Sequence, residues 1–100
     1  EGAVVHVDRF GNLTTNLTEA DLVSLAGPAL ALLEVRLAGR VLPLVRRYSE
    51  VAPGEPCALV GSSGRLEVAV NRGRADERLL AGIGAAVRAS RGGVLHFDGR

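Results

Sequence analysis

The sequence predicts an all-β fold, a small closed or nearly closed β-barrel of about seven strands with one or two short helices. Three observations carry that expectation. Short β-branched and aliphatic runs recur at close spacing along the chain. Turn signals rich in Gly and Pro separate them. No alternation of strand with long helix appears, as a parallel sheet would require. The core must be aliphatic, because Phe10, Tyr48 and Phe97 are the only aromatic residues of the 100.

Val4-Val5-His6-Val7-Asp8 reads as the first strand, with Val5 and Val7 on one face and His6 and Asp8 on the other. Arg9-Phe10-Gly11-Asn12 breaks it as a turn, where Gly11 can take positive φ at little cost. Thr18 can cap a helix whose acidic first turn, Glu19 and Asp21, suits the helix dipole. That helix is expected over Thr18 to Leu25, ending before Gly27-Pro28. Leu32 to Leu37 and Arg40 to Val45 form the next strands, joined by the two-residue signal Ala38-Gly39. Pro43 marks the second as an edge strand or a bulged one. After the firm turn Pro53-Gly54-Glu55-Pro56 come strands over Cys57 to Val60 and Arg65 to Val70, separated by Gly61-Ser62-Ser63-Gly64. In the latter, Leu66, Val68 and Val70 share one face, and Arg65, Glu67 and Asn71 the other. A short helix is expected over Ala75 to Leu80, then strands near Ala85 to Ala89 and Val94 to Phe97. No linker or repeat divides the chain, so residues 1–100 read as a single β-barrel domain.

Composition narrows the function classes. The chain is 47% hydrophobic and 23% charged, ordinary for a globular domain in water. No apolar run approaches the ~20 residues of a membrane span, so no membrane association is expected. A net charge of +1, with few aromatics, argues against nucleic acid as a partner. All twelve basic residues are Arg. A lone cysteine excludes an internal disulfide and fits a reducing cytoplasm. Cys57 lies in a strand interior, where a thiol is expected to be buried and inert. Methionine is absent, so Glu1 is not expected to be the translated start.

Three segments could carry chemistry. Asp8-Arg9-Phe10-Gly11-Asn12-Leu13-Thr14-Thr15-Asn16 sets a carboxylate, an aromatic, a Gly turn and two amides at the end of a strand. An Asn side chain offers a donor and an acceptor together, which suits the edge of a nucleobase, and Phe10 could stack on its face. Equally, Asp8 and Asn12 could be satisfying backbone groups of an Asx-type turn. In Gly61-Ser62-Ser63-Gly64, hydroxyls and exposed N–H groups could hold a carboxylate or phosphate, or form a plain hairpin turn. Val70-Asn71-Arg72-Gly73 is the third, at another strand end. The only three Asn residues, Asn12, Asn16 and Asn71, all fall in these segments. Ser62 lacks a nucleophile elbow, and neither His6 nor His96 has a visible catalytic partner, so no catalytic residue is assigned. His6, His96 and Asp98 lack metal-ligand spacing, and no metal is expected. Arg46-Arg47 reads as a solvated strand end.

Taken together, the segments resemble the C-terminal domain of the S-adenosylmethionine-dependent fluorinase, chlorinase and hydroxide adenosyltransferase family. The resemblance rests on Val7 to Asn16, on Tyr48-Ser49-Glu50-Val51-Ala52-Pro53-Gly54-Glu55, and on Ser62 to Gly73, in that order. It implies a two-domain parent enzyme whose α/β N-terminal domain is missing from this chain. It further implies a homo-trimer, with substrate between the N-terminal domain of one subunit and the C-terminal domain of its neighbour. The substrate is S-adenosylmethionine, with no separate cofactor, and a nucleophile displaces methionine from the ribose 5′ carbon. That nucleophile is halide in the halogenases and water or hydroxide in the commonest branch.

By the same resemblance, Asp8 meets the methionine ammonium and Asn12 the adenine edge. Phe10 and Tyr48 are the aromatic walls, Ser62 and Ser63 hold the methionine carboxylate, and the backbone at Asn71 and Arg72 contacts adenine. Ser62-Ser63-Gly64 is closer to the hydroxide branch than the Ser-Arg-Gly of the halogenases. Gly61 stands where many relatives carry Asn. The machinery of the reacting centre lies mostly in the absent domain, so this chain alone is expected to be inactive. Two other classes remain: a stand-alone barrel binding nucleic acid or protein without catalysis, and a structural oligomerisation domain.

Overall fold

The computed structural model describes residues 1–27 and 30–91. Among them, seven strands form one antiparallel sheet: β1 (Gly2–Val7), β2 (Leu13–Thr18), β3 (Leu33–Leu37), β4 (Arg40–Pro43), β5 (Pro56–Val60), β6 (Arg65–Val70) and β7 (Ala86–Arg91). They lie in the order β4-β3-β7-β1-β2-β6-β5. The sheet curls until its edges meet at one parallel bridge, Leu44 to Ala58, where the Val45 N–H donates to the Ala58 carbonyl at 2.8 Å. The result is the nearly closed barrel the sequence predicts. Closure removes most of the unpaired edge that an open sheet would expose.

Period-two patterning fills the interior. In β3, Leu33, Val35 and Leu37 point inward while Glu34 and Arg36 face out and pair with each other at 3.4 Å. Ala38 and Gly39 take φ values of 53° and 78°, the two positive angles that a tight hairpin needs. β4 ends at Pro43 on the sheet edge, as the proline requires; Leu44 and Val45 go on only to the closing bridge.

The first strand corrects the sequence reading. A bulge between Val4 and His6 shifts the register against β2. Val4 is 1% exposed and Val5 41%, while Val7 packs on the core. Val5 and Val7 therefore do not share a face, because the extra residue of a bulge resets the alternation. The sequence reading also gave no strand to β2. Leu13, Thr15 and Leu17 alternate inward there, but the polar Thr15 hides the apolar alternation. Thr15 is wholly buried and satisfied, its hydroxyl donating to the Leu66 carbonyl at 2.8 Å.

Two short helices complete the described structure. Helix α1 (Glu19–Ala26) opens with a reciprocal cap: the Asp21 N–H donates to Thr18 Oγ1 at 3.2 Å and the Thr18 N–H to Asp21 Oδ2 at 2.9 Å. It buries Leu22 and Ala26, one turn apart, and stops where Gly27 takes a φ of 59°. Helix α2 (Ala75–Arg78) is a single turn, shorter than the expected Ala75 to Leu80, because Leu80 leaves it at a φ of 52°. Two 3-10 turns stand at Leu30–Leu32 and Tyr48–Glu50. The expected strand Val94 to Phe97 lies outside the described residues, as do His96 and Asp98.

Candidate functional site

The site grows from the turn that β1 makes into β2. Asp8 Oδ1 accepts the Phe10 N–H at 2.8 Å and the Asn12 N–H at 3.0 Å, while Oδ2 accepts Asn12 Nδ2 at 3.2 Å. Three donors on one carboxylate wind the chain around it, and Gly11 closes the bend at a φ of 84°. Partial burial would raise the Asp8 pKa, but the N–H groups of Asn12 and Phe10, the Asn12 amide and nearby His6 together hold it below the ordinary value of 3.8. The bend leaves Phe10 62% exposed at the surface, with the Arg9 guanidinium 5.2 Å from its ring centre.

Tyr48 faces this turn from the 3-10 segment and is half exposed. Its loop is fastened from below by Asn71, which is 7% exposed. Asn71 Nδ2 donates to the Val51 carbonyl at 2.7 Å, its carbonyl accepts the Gly54 N–H at 2.8 Å, and its N–H donates to the Glu55 carbonyl at 3.2 Å. Arg72 follows at a φ of 60°, in a tight turn where the Gly73 N–H donates to the Val70 carbonyl at 3.2 Å. Phe10, Asn12, Tyr48, Val70, Arg72 and Gly73 together line a cavity of about 370 Å³. That is the size class of a small-molecule site.

The sequence-derived site residues thus divide. Phe10, Asn12, Tyr48 and Arg72 share the cavity. Asp8 shapes the turn that presents two of them. Asn71 holds the Tyr48 loop through its side-chain Nδ2 and its backbone N–H and carbonyl. Ser62 and Ser63 lie in the β5–β6 turn, at the other end of β6 from Asn71, and do not line the cavity. That turn is braced by its own Gly64 to Gly61 bond and by the Glu19 N–H donating to the Gly64 carbonyl, both at 2.9 Å.

Between the two ends stands Glu67, which the sequence reading placed on the outer face and left without a role. It shares a row with Thr14 and, through Thr14, with His6. Its carboxylate lies over Gly61, where any side chain would collide with it. Burial first, and the charge of Asp8 second, push its pKa above the ordinary 4.5. Arg74 and Asp76 were missed as well, since no local pattern announces them. Arg74 Nη1 donates to the Arg9 carbonyl at 2.8 Å, and the Asp76 N–H donates to the Gly11 carbonyl at 3.0 Å.

Cys57 is buried, and burial, aided by the Glu50 charge, pushes its thiol up to about 11; it stays protonated and inert at neutral pH. Among the described residues, no group of three or more His, Cys, Asp or Glu side chains is placed to hold a metal ion. No described helix is long and apolar enough to cross a membrane.

The class of protein is thus a nearly closed antiparallel β-barrel domain with an aromatic-walled, amide-bearing cavity at one end. Its family follows from comparison with known proteins. Residues 2–88 match the SAM hydroxide adenosyltransferase C-terminal domain, and the chain belongs to that family. It is 46% identical over 88 residues to the (R)-S-adenosyl-L-methionine hydrolase of Thermus thermophilus, covering 88% of this chain and 31% of that relative. A solved structure of a conserved hypothetical protein, also from Thermus thermophilus, superposes with a TM-score of 0.74 at 43% identity, over 88% of this chain and 34% of the other. An uncharacterized conserved protein from Thermotoga maritima superposes with a TM-score of 0.75 at 29% identity, over 88% and 35%. The chain therefore spans about a third of the length of these relatives.

Proposed function

We propose that this chain is the S-adenosylmethionine-binding half-site of an adenosyltransferase or hydrolase that cleaves S-adenosylmethionine to adenosine and methionine with water or hydroxide. The observation that carries the reading is the cavity between Phe10 and Tyr48, into which Asn12 brings an amide. Asn12 Nδ2 is engaged by Asp8, and its Oδ1 accepts no hydrogen bond from the described residues. That oxygen is the complement of an exocyclic adenine amine, with the two rings as stacking walls. The Asp8 carboxylate, held ionised, supplies negative charge next to the base for the ammonium of the methionine moiety.

In this reading Ser62 and Ser63 meet the methionine carboxylate, and the backbone around Asn71 and Arg72 meets the base. The sulfonium leaves without a general acid, so rate comes largely from holding the ligand for in-line attack. The groups that position the nucleophile belong to an α/β domain of a neighbouring subunit in a homo-trimer. The isolated chain then has no hydrolytic activity of its own. A cytoplasmic location accords with the single buried thiol.

Calorimetry on the full-length protein tests the assignment with two ligands. Losing one side of a buried charged pair costs about 2–5 kcal/mol, and losing a neutral contact about 1–3 kcal/mol. Asp8→Asn should weaken S-adenosylmethionine far more than adenosine, which has no ammonium. Asn12→Ala should weaken both alike. Equal losses for both ligands in Asp8→Asn would reduce Asp8 to the organiser of its own turn.

A further inference from the structure

We infer that Arg74 is a positioning residue for the nucleobase wall, acting through the backbone on either side of Phe10. The inference rests on the reading of the Phe10–Asn12 cavity as a base site. Phe10 is largely exposed and has little packing to hold it, so its place is set by its backbone. The Phe10 N–H is taken by Asp8, and the Arg9 and Gly11 carbonyls on either side of it are taken by Arg74, the N-cap of α2, and by Asp76 in its first turn. Arg74 Nε and Nη2 grip Asp76 Oδ1 and Oδ2 at 3.1 and 3.0 Å, which leaves Nη1 aimed at the Arg9 carbonyl. The same Asp76 donates its N–H to the Gly11 carbonyl. A Cβ at Gly11 would lie 2.7 Å from both Arg74 Cβ and Asp76 Oδ1, so the turn and the brace are in direct contact.

A planar guanidinium holds both carboxylate oxygens and the carbonyl from three separate nitrogens in a fixed fork; an ammonium, with its donors on one nitrogen, does not reproduce that geometry. Arg74 does not line the cavity, so its effect on ligand is indirect. What it contributes is order in the wall before the base arrives, which lowers the entropy that binding must overcome.

The test uses the full-length protein with adenosine as probe, comparing wild type, Arg74→Lys and Arg74→Ala. Adenosine affinity and KM for S-adenosylmethionine should worsen on the order of 10-fold in both variants, with kcat little changed. Hydrogen exchange at the Gly11 and Asn12 amides should accelerate in the ligand-free protein. Arg74→Lys keeps the charge beside Asp76 and should recover thermal stability without recovering affinity. A role in stability alone would make affinity follow the melting temperature across the three proteins. Arg74→Lys binding adenosine like wild type, with unchanged Gly11 exchange, overturns the inference and leaves the proposed function standing. Failure of the wild type to bind adenosine or S-adenosylmethionine overturns both. If Arg74→Ala does not fold, Arg74→Lys and Asp76→Asn decide the matter by the same measurements.

Discussion

The Asn71 side-chain amide donates to the Val51 carbonyl at 2.7 Å across twenty positions of chain, and so fastens the Tyr48 loop to the end of β6. Asn71 is nearly buried there, and its own backbone is bonded to Gly54 and Glu55. Its place beside the cavity is that of a support for one wall.

Asn71→Ala should therefore lower stability by about 1–3 kcal/mol, the cost of leaving the part-buried Val51 carbonyl without its donor. It should also weaken adenosine binding, by freeing Tyr48 from its register with Phe10. Chemical denaturation and ligand titration of the same sample check the two effects together. Lost stability with unchanged adenosine affinity would mean that Tyr48 is held by other means.

Thr15→Val tests the polar group at the heart of β2. The Thr15 hydroxyl donates to the Leu66 carbonyl at 2.8 Å and accepts the Leu17 N–H at 3.1 Å, bridging the irregular register of β2 on β6. Valine has nearly the same shape and neither bond. The expected loss is about 1–3 kcal/mol for each group left unpaired, while Thr15→Ser, which keeps the hydroxyl, should lose less. A Val variant as stable as wild type in denaturant would show that the two backbone groups find other partners.

Asp8 and Glu67 should shift stability in opposite directions with pH. The folded Asp8 pKa lies below its ordinary 3.8, so its stabilisation is present above that value and lost as pH falls through the folded pKa. The folded Glu67 pKa lies above 4.5, so its contribution is present below that value and lost as pH rises through the folded pKa. Asp8→Asn should thus cost stability at neutral pH and little in strong acid. Glu67→Gln should be neutral or stabilising at neutral pH and lose that advantage in acid. Denaturation curves for both variants over a pH series give the signs directly; two curves moving together would contradict the assignment.

The local elements were legible in the sequence because they are built from short-range rules. Thr18 and Asp21 announce the cap of α1, Pro43 an edge, Ala38-Gly39 a tight hairpin, and the alternation of Leu66, Val68 and Val70 the inner face of β6. The residues of the cavity could be named for the same reason, since Phe10, Asn12, Tyr48 and Arg72 sit in turns with recognisable chemistry. Tertiary structure alone decided how these pieces meet. The bulge in β1 turned Val5 outward, the barrel closed at Leu44 and Ala58, and β6 set Ser62 and Ser63 at the far end from the cavity. It also sent Arg74 to a carbonyl 65 residues away, and it gave Asn71 to the Tyr48 loop. Period and turn chemistry are properties of neighbours in sequence, whereas register, closure and long-range hydrogen bonds depend on which buried groups must be satisfied once the sheet has curled.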